Sequence, residues 1–227
     1  MAKDYSEDLL IQKSTAELLE KELGWHSVYA YDNEVLGKQG TLGRKSQREV
    51  VLTRHLRLAL KRLNPWMNEK QMTEAVERMT EYKSSQTLIQ INEEKYGYVR
   101  DGVPVTRVKP DGTTETVRAR VIDFAVADNN EFIAVRELWI KGAIHKRRAD
   151  VVCYVNGLPL IFIELKNHDQ DIQNAYTDNY RDYLDTIPHL FHHNAMIMLS
   201  NGTESRVGTV GAKWEFFHEW KRLTETD

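Results

Sequence analysis

A single cysteine, Cys153, stands in a chain of 227 residues, so no internal disulfide can form and a disulfide-stapled secreted fold is excluded. Cys153 lies among Val151, Val152, Tyr154 and Val155 and reads as a small buried hydrophobe on a strand. No apolar run approaches the roughly 20 residues that span a bilayer. The opening Met1-Ala2-Lys3-Asp4-Tyr5 lacks the hydrophobic segment of a signal peptide, and a reducing cytoplasm fits this composition best. Proline and glycine are sparse, at 5 and 12, with no repeat or low-complexity tract, which sets aside fibrous and disordered classes. Neither sign of charge dominates: 31 Lys and Arg oppose 34 Asp and Glu, so the chain is no general coat for nucleic acid. One local basic run exists, Lys141, His145, Lys146, Arg147 and Arg148, just before Asp150. Alone, such a run is more often a solvated surface.

Hydrophobic spacing predicts a first helix over 6–23, capped by Ser6, with Leu9, Leu10, Leu18, Leu19 and Leu23 apolar and Gly24 as its stop. Residues 32–45 read as a loop. Ser46 is expected to cap a second helix ending at Asn64-Pro65, and Asn68 a third running to Tyr82. After about Glu94 the character turns to β, punctuated by Gly102-Val103-Pro104-Val105 and by the turn Pro110-Asp111-Gly112. Strands are expected over 116–124, 132–140, 150–155 and 160–165, a helix over 171–185 and a strand over 195–200. This order implies an α/β or α+β fold with a central mixed sheet flanked by helices. We read 1–227 as one domain, with a helical part to about residue 94 and a core from about 95. The acidic end Thr224-Glu225-Thr226-Asp227 suggests a cut inside a longer chain.

Residues 37–46, Gly-Lys-Gln-Gly-Thr-Leu-Gly-Arg-Lys-Ser, superficially suggest a phosphate-binding loop. Arg44 separates Gly43 from Lys45, the first glycine is misplaced and no convincing strand precedes it, so the nucleotide-loop pattern fails. Asn201-Gly202-Thr203 matches a glycosylation acceptor but reads as a turn.

The informative stretch is 147–166, which is charged at both ends and nearly all apolar between, with Asn156-Gly157 as a hairpin signal at its centre. Two buried strands should therefore bring Asp150, Glu164 and Lys166 to one end of the sheet. Two carboxylates there can hold Mg²⁺, a hard cation that prefers oxygen. Such an ion acidifies water and polarises a phosphate, and a neighbouring lysine can position the water and neutralise charge. Glu-x-Lys alone is common at frayed strand ends; the Asp, the hairpin and the basic run together favour an active site. Register adds a condition. A strict two-residue turn would place Asp150 opposite Ile163 and turn Glu164 to the other face. Shared chemistry therefore requires an odd residue, either a three-residue loop or a bulge between 150 and 164.

This segment resembles the PD-(D/E)-x-K nucleases, and more closely the N-terminal nuclease domain in the restriction subunit of type I restriction–modification enzymes. The resemblance rests on Val155-Asn-Gly-Leu-Pro-Leu160 and Ile163-Glu-Leu-Lys166. It extends to Leu23-Gly-Trp25, Arg48-Glu-Val-Val-Leu52, Leu63-Asn-Pro65, Asp101-Gly-Val-Pro-Val105, Ile187-Pro-His-Leu-Phe191 and Leu199-Ser-Asn-Gly202. It implies a restriction-endonuclease-like fold, catalytic Asp150, Glu164 and Lys166, and Mg²⁺ on Asp150, Glu164 and the Leu165 carbonyl. It implies cleavage of double-stranded DNA in an assembly with methyltransferase and specificity subunits, after translocation driven by ATP that this segment does not bind. Ala149 replaces the family's proline before the aspartate. The family's Gln-x-x-x-Tyr corresponds to Asn179 and Tyr183, which with Arg147 and Arg148 are candidates for DNA binding or site support. Glu17 is a first-helix carboxylate whose spacing is ambiguous. A stand-alone repair or recombination nuclease, or a non-catalytic docking domain, remain the alternatives.

Overall fold

A computed structural model describes residues 7–221, with side chains from residue 13. Ser6 and the acidic end at 224–227, named above, lie outside the described residues, as do the side chains of Leu9 and Leu10. The chain opens with α1 (Glu7–Leu23), β1 (His26–Tyr29), α2 (Thr53–Leu63), α3 (Glu69–Thr80) and α4 (Leu88–Asp101). A separate hairpin follows, β2 (Val103–Val108) and β3 (Thr114–Ala119), turning on Pro110-Asp111-Gly112 as expected. The main sheet takes β4 (Phe132–Lys141), β5 (Lys146–Val155) and β6 (Leu158–Leu165). A π-helical turn (Ala175–Tyr180) leads into α5 (Arg181–Thr186), and β7 (Met196–Ser200), β8 (Ser205–Gly208) and β9 (His218–Glu219) complete the chain. The sheet order is β1-β4-β5-β6-β7-β8-β9, with β1 parallel to β4, β6 parallel to β7 and the other neighbours antiparallel. This is the expected mixed sheet flanked by helices.

Its two faces bury different clusters. The larger joins Val152, Phe162, Ile197 and Leu199 to Leu56 and Leu60 of α2, Met72 and Met79 of α3 and Tyr180 and Tyr183 after β6. The smaller, on the opposite face, joins Ala134, Val151, Cys153, Ile163 and Leu165 to Leu19 and Trp25. Cys153 is buried as expected, and burial pushes its thiol up to about 12. Among the described residues no helix is long and apolar enough to cross a membrane.

Several expected boundaries move. The second helix begins at Thr53 rather than Ser46. Ser46 caps only a single turn, accepting from the Arg48 N–H, while Val50, Val51 and Leu52 are drawn into the core without regular structure. The Leu52 N–H donates to the Gly157 carbonyl at 2.8 Å. The strand expected over 116–124 ends at Ala119, where the Asn64 side chain takes the backbone N–H and carbonyl of Arg120 at 2.8 and 2.7 Å. Helix α4 runs on to Asp101, past the change to β character expected at about Glu94. A capping box between Thr87 and Gln90 starts it and Gly102, at φ 88°, ends it. Lys95 on α4 is 1% exposed, and its Nζ donates to the Arg78 and Glu81 carbonyls at the end of α3 at 2.5 and 2.6 Å, a cation at a helix C-terminus.

Three histidines pack beneath α3 and α4. The Nε2 of His193 meets the Met79 carbonyl at 2.6 Å, and burial lowers its pKa to about 3. Burial likewise lowers His189 and His192 to about 4. In the unfolded chain each takes a proton below its ordinary 6.5, so their contribution is complete above that pH and fades as pH falls toward 3–4. Stability should decline on acidification by up to about 1.4 kcal/mol per pH unit for each histidine. His193→Gln keeps a donor for Met79 and should make the decline shallower. Denaturant midpoints between pH 7 and pH 4 test this; an unchanged slope would show that His193 does not resist protonation.

Candidate active site

The β5–β6 hairpin sets the register of every candidate residue. Asn156 and Gly157 have φ of 51° and 82°, the paired left-handed conformations of a type I′ turn. The Asn156 side chain is fully buried and satisfied on both sides. Its Oδ1 accepts from the Glu131 N–H at 2.9 Å and from Arg62 at 3.0 Å; its Nδ2 donates to the Val121 carbonyl and to Asn130 Oδ1, both at 2.8 Å. A Cβ on Gly157 would lie 2.5 Å from the Leu52 carbonyl oxygen, so the turn is pinned from the α2 side as well.

Val155 faces Leu158 and Tyr154 faces Pro159, but Cys153 faces Ile161, leaving Leu160 as an extra residue in β6. The hairpin thus combines a two-residue turn with a bulge. The bulge supplies the odd residue: Val152 then faces Phe162, Val151 faces Ile163, and one further step sets Asp150 across from Glu164. There the Asp150 Oδ2 accepts the Leu165 N–H at 2.8 Å.

Both carboxylates are withdrawn from water, at 9% exposure for Asp150 and 1% for Glu164. Burial is the main cause that pushes Asp150 up to about 7, opposed by the Leu165 N–H and by Lys166 and Arg148, and reinforced by Glu137. Burial raises Glu164 well above the usual carboxylate range, and Asp150 is the next cause, so the two charges sense one another. The Glu164 Oε2 is buried with no hydrogen-bond partner. Lys166 Nζ donates to Asn179 Oδ1 at 2.5 Å. Asn179 sits in the π-helical turn, a local widening of the helix often found at functional sites. Tyr183, one turn on, donates from its hydroxyl to the Arg148 carbonyl at 2.7 Å, and its own titration is raised by burial and by Glu164.

The structure therefore brings Asp150, Glu164, Lys166, Asn179 and Tyr183 together. Leu165 lies between Glu164 and Lys166, with its N–H given to Asp150. Arg147 and Arg148 are engaged within the chain: Arg147 forms a two-pronged pair with Asp182 of α5, and Arg148 pairs with Glu137 at 2.6 Å and lies over the rings of Tyr31 and Trp139. Glu17 pairs with Lys13 and Lys21 along α1, at 3.6 and 3.3 Å. The residue that sequence reasoning missed is Glu137. It is 3% exposed, has φ 57°, and raises both Asp150 and Glu164. Its sequence signal was a charged pair, Arg136-Glu137, interrupting the apolar run 132–140.

Among the described residues no group of three or more His, Cys, Asp or Glu side chains forms a ready metal cage. Two buried carboxylates, one with an unsatisfied oxygen, nonetheless form a donor set that suits a hard divalent cation able to keep several waters.

A mixed sheet flanked by helices, with paired carboxylates and a lysine at the end of its central hairpin, is a restriction-endonuclease-like fold. A family model described as "Type I restriction enzyme R protein N terminus" matches residues 4–216, and the chain belongs to that family. The type I restriction enzyme HindI endonuclease subunit of Haemophilus influenzae is 32% identical over 221 residues, 95% of this chain and 20% of that protein. The SauMSSORF170P endonuclease subunit of Staphylococcus aureus is 27% identical over 189 residues, 81% of this chain and 19% of that protein. The chain thus spans about a fifth of the length of these relatives.

Because burial holds both carboxyls above their ordinary range, each ionised group costs folding free energy when no cation is bound. Asp150→Asn and Glu164→Gln should therefore unfold at the same or higher temperature than the parent above pH 7 in chelator. Added Mg²⁺ or Mn²⁺ should raise the melting temperature of the parent alone. A loss beyond about 2 kcal/mol in either variant would give that carboxylate a structural task instead.

Proposed function

We propose that this chain is the nuclease domain of a type I restriction subunit, hydrolysing phosphodiester bonds of double-stranded DNA with Mg²⁺. The observation that carries this reading is the buried carboxylate pair with its orphaned Glu164 oxygen beside Lys166. A divalent ion held by Asp150, Glu164 and the Leu165 carbonyl would supply an activated water and charge neutralisation at the phosphate. The Asn179 Oδ1 accepts one hydrogen bond from Lys166, which fixes the ammonium and leaves its other donors for the attacking water and the scissile phosphate. Tyr183 ties α5 to β5 through the Arg148 carbonyl and keeps Asn179 over the site. Arg148, held by Glu137, supports the Asp150 end of the strand, and the half-exposed Arg147 meets the DNA backbone.

Cutting would follow ATP-driven translocation by other parts of the subunit, within a complex that includes methyltransferase and specificity subunits. Sequence choice then belongs elsewhere, and this domain touches phosphates rather than base edges.

Asp150→Ala, Glu164→Ala and Lys166→Ala should each lower DNA cleavage by the complete enzyme at least about 100-fold. ATP hydrolysis and translocation should continue. A variant that cuts at near the parental rate would remove its residue from the site. Asn179→Ala should lower the cleavage rate less, with restoration by Asn179→Gln, which returns the amide of the family pattern. Equal loss in both variants would reduce Asn179 to packing.

A further inference from the structure

A cleft of about 1060 Å³ lies outside the carboxylate site. Its walls come from the loop between β1 and α2 (Lys38, Lys45, Arg48), the start of α2 (Arg54), the β4–β5 turn (Lys141) and the segment after α5 (His189). Among the described residues Lys38, Lys45, Arg48 and Lys141 have no carboxylate partner. Arg54 donates to the carbonyls of Lys38, Gly40 and Thr41 at 3.3, 2.9 and 3.0 Å, which fixes the loop without cancelling its charge. Arg57 is paired, to Glu69 at 2.6 Å, and Glu49 is the acid in the wall, held by the Lys45 N–H at 3.0 Å.

Two further features favour an anion. Helix α2 begins with no side-chain cap and no acid in its first turn, so its positive end is uncompensated beside Arg54. His189 lines the same cleft; its Nε2 is buried with no partner, and burial together with Arg48 and Arg44 keeps that ring neutral. The cations are also fixed from behind. Arg44, fully buried, forms a two-pronged pair with Glu34 at 2.7 and 2.5 Å and donates to the Glu49 and Trp139 carbonyls, both at 3.0 Å.

The charges come from three separate segments of the chain, and the glycine loop lacks the nucleotide-binding order. A row of phosphates suits this better than a single triphosphate. Lys141 faces Lys146 across the β4–β5 ladder, and Asp150 lies four residues further along β5. At about 3.3 Å per residue this is roughly 13 Å, or about four base-pair steps of 3.4 Å.

We propose that this cleft grips the phosphate backbone of duplex DNA to one side of the cut, a second contact that aligns the strand over the carboxylates. Its role in alignment rests on the nuclease reading; its binding of DNA does not. The test is lysine-acetylation footprinting of the complete enzyme without divalent ions, using duplexes of unrelated sequence or ATP alone. Duplex of any sequence should protect Lys38, Lys45 and Lys141 at least threefold, and ATP alone should not. In the complete enzyme, Lys38→Ala/Arg48→Ala/Lys141→Ala should lower the salt slope of duplex binding by about 0.9 per cation. It should also reduce cleavage tenfold or more. Unaltered reactivity with duplex, or protection by ATP alone, overturns the proposal. An Asp150→Ala enzyme separates the two readings: lost cutting with intact protection upholds both, lost cutting without protection leaves only the nuclease, and protection with intact cutting leaves only the cleft.

Discussion

Two carboxyl groups buried side by side are the constraint around which this molecule is arranged. Asp150 and Glu164 are each raised by burial, and Asp150 further raises Glu164. Such a pair is unfavourable in a core unless something positive joins it, and the surrounding structure limits the cost without removing it. The Leu165 N–H satisfies one Asp150 oxygen, Lys166 and Arg148 favour the ionised form, and a third acid, Glu137, keeps Arg148 in place. What remains uncompensated is the Glu164 oxygen. The site thus folds with one carboxylate oxygen left without a hydrogen bond.

Holding that balance takes precise backbone geometry. The Leu160 bulge sets Asp150 across from Glu164, and the Asn156 side chain anchors the turn that fixes where the bulge falls. The left-handed backbone at Glu137 and the π-helical turn carrying Asn179 are two more departures from regular structure at the same end of the sheet. Each costs some regularity, and together they aim five polar side chains into one small volume.

Asp150, Glu164 and Lys166 were legible in sequence because their signal is local: charges at the ends of one apolar run, folded by one Asn-Gly turn. The need for an odd residue was also readable, from counting alone, though bulge and longer loop could not be told apart. Glu137 was not legible, because its importance arises from alignment with residues on a neighbouring strand. The start of α2 was misread for a similar reason. Ser46 has the chemistry of a helix cap, but Val50 and Val51 are buried in the core and Leu52 is bonded to a hairpin a hundred residues away. Helix α4 contains Tyr96, Tyr98 and Val99, which suit strands, and is settled by its capping box and by Lys95 docking on α3. The short strands β8 and β9 carry too few residues to show a period.

The parallel pairing of β1 with β4 bears on the order in which the chain can be made. His26–Tyr29 meets Ile133–Arg136, so the first strand waits for more than a hundred further residues before its hydrogen bonds can close. During synthesis at the ribosome, α1 and β1 emerge long before their neighbours exist, and every intervening helix must leave that edge open. An unpaired strand of this kind invites pairing with any other chain nearby. Four residues with only partial burial make a short and poorly adhesive edge, which keeps the waiting segment out of unintended sheets until β4 arrives.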